Sequence, residues 1–255
     1  MIELQTSYTL SQIPYLTNET LDDYAEELIR DFSPEALKAP CVLDVDRFIE
    51  YYLQLTVEYR RICFDRKIMG LTAFNDGTVE VLNEETGLSE RLPVKAGTVI
   101  IDPALLLKRN IPRLRFTMMH EGAHWLLHKK VFSVDNHFGT AGVYENQFIA
   151  AKEGRVDYSR STKERTDVER MERQADFLAS AILMNRPALR IVFKEFFKFY
   201  NEKPRRIKRR TSTIDDCFAH QLPEVVAIKF DVSKRAALIR LEKLNAIADK
   251  GWGDN

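Results

Sequence analysis

The chain has 255 residues, 45% of them hydrophobic and 30% charged, which supplies one substantial core and excludes a disordered polymer. Its 38 Lys/Arg match 38 Asp/Glu, so no net charge draws the whole chain to nucleic acid or a membrane surface. The charge is unevenly spread, however: residues 186–255 hold 16 Lys/Arg against 9 Asp/Glu, a surplus of seven that residues 1–185 offset.

In chain order, the opening MIELQTSYTL has neither a basic nor an apolar targeting region, so a secretion signal is not expected. Residues 19–53 read as two helices, broken around Ser33-Pro34 and again at Pro40. From Leu53 to Ile101 the pattern changes to short β-rich runs, LTVEY, MGLTAF, TVEVL and GTVII. Turn chemistry such as Asn75-Asp76-Gly77 and Glu85-Thr86-Gly87 separates them. A small, mostly antiparallel sheet of three to five strands is predicted. After Asp102-Pro103 the chain returns to helix and stays mostly helical to its end. Helix, sheet, helix in that order indicates an α+β fold, not alternating α/β. The division predicted is a first domain over 1–185 and a basic helical region over 186–255. Cys41, Cys63 and Cys217 are odd in number and form no CxxC pair, which points to a reducing compartment. No apolar run is long enough to cross a bilayer. A cytoplasmic location is expected.

The first long helix after the sheet carries the chemistry. Asn110 is placed to cap it, Pro112 suits its first turn, and His128-Lys129-Lys130 put positive charge at its end. Within it lies His120-Glu121-Gly122-Ala123-His124. Residues four apart share a helix face, so both imidazoles can converge on one ion. Glu121 projects about 100° from His120, where its carboxylate suits a base acting on water. The flanks (Phe116, Met118, Met119, Ala123, Trp125, Leu126, Leu127) are apolar nearly all round, so the helix is predicted to be buried. HExxH alone arises by chance too readily to decide the matter.

A second helix, read over 162–184, supplies what is missing. Ser161 and Glu164 form a capping box, and Val168, Met171, Ala175, Leu178 and Ile182 form an apolar ladder. Beside the ladder lie Glu172 and Asp176, one turn apart. A catalytic zinc takes three protein ligands, so Glu172 is the third candidate after His120 and His124. Asp176 is placed to accept the remaining ring N–H of a ligand histidine, His120 before His124.

MHEGAHWLLH followed by ERQADFLASAILM resembles the ImmA/IrrE metallopeptidases, and the likeness extends to MGLTAFNDGTVEVL, GTVIID, RFTMMHE and VVAIKFDVSKRAALIRLEKL. The resemblance implies a helix-rich minimal zincin core with a small sheet, a zinc ion on His120, His124 and Glu172, and Glu121 as general base. It implies further that the partner is a helix-turn-helix transcriptional repressor, cut at a specific site. Two departures stand out: the family's closing Leu-Leu-Met-Pro is here Met184-Asn185, and the stretch from Val131 to Arg160 is long. Neither touches a ligand. The alternative is a regulator without enzymatic activity that uses the metal structurally and binds a repressor or DNA. An intact Glu121 favours the peptidase.

The remaining candidates read as structural. His128 lies too far along the helix to share the ion. His137 and His220 have no partner pattern, and Tyr144 and Tyr158 read as loop tyrosines. Lys203–Arg210 is read as a solvated basic linker, and FDVSKRAALIRL, with Ser233 as cap, as a C-terminal helical unit.

Overall fold

The computed structural model describes residues 4, 13–132, 148–152 and 167–249. The elements are, in order, α1 (Asn18–Phe32), α2 (Val45–Arg47), β1 (Thr56–Tyr59), β2 (Ile68–Ala73), β3 (Gly77–Leu82), β4 (Ser89–Val94), β5 (Thr98–Ile101), α3 (Ile111–His128), β6 (Phe148–Lys152), α4 (Asp167–Leu183), α5 (Arg186–Phe199), β7 (Ile207–Arg209), α6 (Thr213–Phe230), α7 (Lys234–Lys243) and β8 (Ile247–Asp249). The fold is α+β and helix-rich, with small sheets. No described helix is long and apolar enough to cross a membrane.

The chain forms two compact units, one of residues 1–24 and 44–179, the other of residues 25–43 and 180–255. In the first, a four-stranded sheet has the order β1-β5-β2-β6. β2 pairs antiparallel with both β5 and β6, whereas β1 pairs parallel with β5, so the sheet is mostly but not wholly antiparallel. β3 and β4 form a separate antiparallel hairpin. The pleat of β2 divides its side chains between two faces. Leu71 and Ala73 join Val79, Val81, Val94 and Ile100 in a buried cluster. Gly70 and Thr72 instead meet α3.

α3 is buried almost throughout, from Thr117 to His128 with Leu126 the exception, as its apolar flanks predict. Gly122 makes that closeness possible: a Cβ there would come within 2.6 Å of Ile49 Cδ1. Ile49 sits in a π-helical turn, Phe48–Tyr52, which continues from α2 where a longer second helix is expected from sequence. Asn110 adjoins α3, yet its side chain donates to Ala104 O at 2.7 Å and does not cap the helix.

In the second unit, Asn185 accepts from Ala188 N to cap α5 and donates to Ala36 O, at 2.9 and 3.0 Å. Phe196, Phe197 and Phe218 pack edge to face, with ring centroids 5.2–5.8 Å apart. Ser233 caps α7 by accepting from Ala236 N, as read from sequence. The basic run differs from expectation. Ile207–Arg209 is a strand, paired parallel with β8, and not a free linker. Buried Asp215 holds it in place, accepting from Arg205 Nη1 at 2.6 Å, Thr211 Oγ1 at 3.1 Å and Lys208 N at 3.2 Å. Arg209 pairs with Glu242 at 2.7 Å.

Candidate metal centre

All the predicted ligands lie in the first unit, on α3 and α4. α3 turns His120 and His124 to one side, and their Nε2 atoms stand 2.8 Å apart. The carboxylate of Glu172 faces both, with Oε2 at 3.4 Å from His120 Nε2 and Oε1 at 3.3 Å from His124 Nε2. One ligand atom from each of the three residues lies within 4.8 Å of the other two. A tetrahedral ion with bonds of about 2.0–2.1 Å separates its ligand atoms by roughly 3.3 Å, so the spacing suits such an ion. The donor set of two imidazoles and one carboxylate suits a divalent transition metal. His120, His124 and Glu172 can therefore hold a metal ion.

α4 presents Glu172 as expected, although the apolar ladder begins one turn later than read. Met171, Ala175, Leu178 and Ile182 are buried, but Val168 is 47% exposed. Ser161 and Glu164 lie outside the described residues. Asp176 Oδ1 lies 2.9 Å from His120 Nδ1, the contact anticipated for it.

Electrostatics favour metal ligation. Burial holds the His124 imidazole below its ordinary range, and the neighbouring His120 adds to the effect, so His124 is neutral with a lone pair to offer.

Glu121 follows His120 on α3 and is wholly buried, although it is not one of the three grouped donors. Its Oε2 accepts from Thr72 Oγ1 at 2.6 Å. Gly70, two residues earlier on β2, leaves room for the carboxylate: a Cβ there would lie 2.6 Å from Glu121 Oε1 and 2.7 Å from Thr117 Cγ2. Thr72 and Gly70 escape a reading of the sequence, because a strand threonine and glycine 49–51 positions from Glu121 carry no local signal of this contact.

His128 is not one of the three grouped donors. It is wholly buried and lies 3.0 Å from His124, Nδ1 to Nδ1. Burial and the adjacent His124 push its pKa down to about 3. His220 is exposed and lies 3.0 Å from Lys234 Nζ. His137, Tyr144 and Tyr158 lie outside the described residues. No known family model matches this chain, and no curated protein matches it.

Proposed function

We propose that this chain is a zinc metallopeptidase that hydrolyses peptide bonds with Glu121 as general base. Support comes from a His120/His124/Glu172 donor set combined with the buried carboxylate of Glu121, the residue after His120, which a purely structural metal site does not need. A bound zinc ion would supply Lewis acidity, polarising the scissile carbonyl and lowering the pKa of water. Glu121 takes a proton from that water as it adds to the carbonyl carbon, then delivers the proton to the departing amine as the C–N bond breaks. Thr72 holds the carboxylate in place for both transfers.

The proposed substrate is a helix-turn-helix repressor, cleaved at one site in the cytoplasm. Support comes from the motif resemblance and from the basic surplus of residues 186–255, which suits an acidic partner. Direct nucleic-acid binding is the weaker reading, since the basic run is partly consumed by ion pairs with Asp215 and Glu242. The test is to incubate the purified protein with the repressor encoded nearest its gene, with and without chelator, beside a Glu121→Gln variant. Glu121→Gln should bind zinc with the same stoichiometry as wild type and lose turnover by about 10²–10⁴-fold. Undiminished cleavage by that variant would remove Glu121 as base.

A further inference from the structure

Behind the three proposed ligands a buried chain of hydrogen bonds runs from α3 to the N-terminal segment. Gln174 Nε2 donates to Pro14 O at 2.8 Å. Gln174 Oε1 lies 3.0 Å from His128 Nε2. His128 Nδ1 lies 3.0 Å from His124 Nδ1. Gln174, His128 and His124 are each 0% exposed.

The protons along this chain follow from its far end. A carbonyl oxygen only accepts, so the Gln174 amide must turn its NH₂ to Pro14 and its oxygen to His128. His128 must then carry its proton on Nε2. The two Nδ1 atoms stand 3.0 Å apart, so one donates and the other accepts; with His124 Nε2 turned to the other two donors as the ligand atom, the Nδ1 proton is His124's and His128 Nδ1 accepts it. His124 Nε2 is left as a bare lone pair, directed at His120 and Glu172. We infer that His128 is a positioning residue: with Gln174 it fixes the tautomer and ring orientation of His124 that metal binding requires. Metal-bound histidines commonly rest on a carboxylate, a backbone carbonyl or water. Here a second histidine takes that place, itself oriented by a backbone carbonyl one amide away.

This rests on the proposed metal site, and the test separates the two. Cobalt(II) affinity is measured by chelator competition for wild type, His128→Leu, His128→Gln and Gln174→Leu, each checked for folding by circular dichroism. Leucine keeps bulk but removes the acceptor, so His128→Leu should bind cobalt about 10–100-fold more weakly, with Gln174→Leu shifted the same way. Glutamine can accept from His124 and donate to Gln174, so His128→Gln should stay within about threefold of wild type. Should His128→Leu fail to fold, the affinity of Gln174→Leu decides between the same two outcomes. Long-range ¹H–¹⁵N correlation on the zinc-loaded protein should show the His128 proton on Nε2. Wild-type affinity in the leucine variants, equal loss in His128→Gln and His128→Leu, or a proton on His128 Nδ1 would overturn the inference and leave the metal site standing. Wild-type protein that binds no cobalt would overturn the metal site itself.

Discussion

The Thr72 hydroxyl donates to Glu121 Oε2 at 2.6 Å across the interface of β2 and α3, and both side chains are wholly excluded from solvent. A charge-assisted bond in a buried setting contributes about 1.5–3 kcal/mol, and its loss loosens the hold on the carboxylate. Thr72→Val removes the donor at nearly constant volume. Turnover should fall by about 10–100-fold while zinc content is unchanged, read by steady-state kinetics beside elemental analysis. Full activity in the valine variant would show that the hydroxyl does not hold the base.

Gly70→Ala acts on the same carboxylate by crowding. The added methyl would meet Glu121 Oε1 at 2.6 Å and Thr117 Cγ2 at 2.7 Å, so the strand or the helix must give way. Overpacking of this kind costs about 1–3 kcal/mol. A lowered Tm together with reduced kcat is expected, and an unchanged Tm would show that β2 yields freely.

Glu172→Ala should lose bound zinc, whereas Glu169→Ala, one turn earlier on α4 and outside the donor group, should retain it. Asp176→Asn should cost less, on the order of 10–100-fold in affinity or activity, since it touches His120 and is not one of the grouped donors. Equal metal content in Glu172→Ala and wild type would exclude Glu172 as a ligand.

Asp215 gives a pH signature in the second unit. Burial raises the pKa of its carboxyl, but its bonds to Arg205, Lys208 and Thr211 pull it down further, so it lies below its ordinary value. A depressed folded-state pKa stabilises above the unfolded value, near about 3.9, and that contribution disappears as pH falls through the folded one. Asp215→Asn should therefore be less stable than wild type at neutral pH, and the two Tm curves should converge below about pH 4. Parallel curves down to about pH 2 would refute this role.

The basic run can be tested as a docking surface only at selected positions. Arg205 and Arg209 serve the fold through Asp215 and Glu242, so their replacement confounds binding with stability. Arg206 and Arg210 are exposed. Arg206→Ser with Arg210→Ser should slow repressor cleavage at low salt, with the difference shrinking as salt rises and short-peptide turnover unaffected. Equal cleavage at low ionic strength would place docking elsewhere.

Much of this arrangement is legible from local pattern. The four β-rich runs correspond to β1, β2, β3 and β5, and the i, i+4 spacing of His120 and His124 is a property of one helix. β4 escapes such a reading because SERLPV is charged and largely exposed, so its pairing with β3 rests on backbone bonds that side-chain alternation does not announce. β7 hides inside the basic run for a related reason: only Ile207 of its three residues is buried. Gln174 and His128 are out of reach too. A neutral amide and a third histidine acquire meaning only when α3 and α4 meet across 46 positions of sequence.

Solvent exposure at the centre is one-sided. His120, His124 and Glu121 are wholly buried, while the side chains of Glu172 and Asp176 keep 17% and 22% of their surface. Among the described residues, the exposed surface at the donor group thus includes two carboxylates. A hydrated divalent cation approaching those carboxylates is attracted by them, whereas an anionic chelator is repelled. Metal should load quickly and be stripped slowly, and added salt, by screening the carboxylates, should narrow the difference between the two rates.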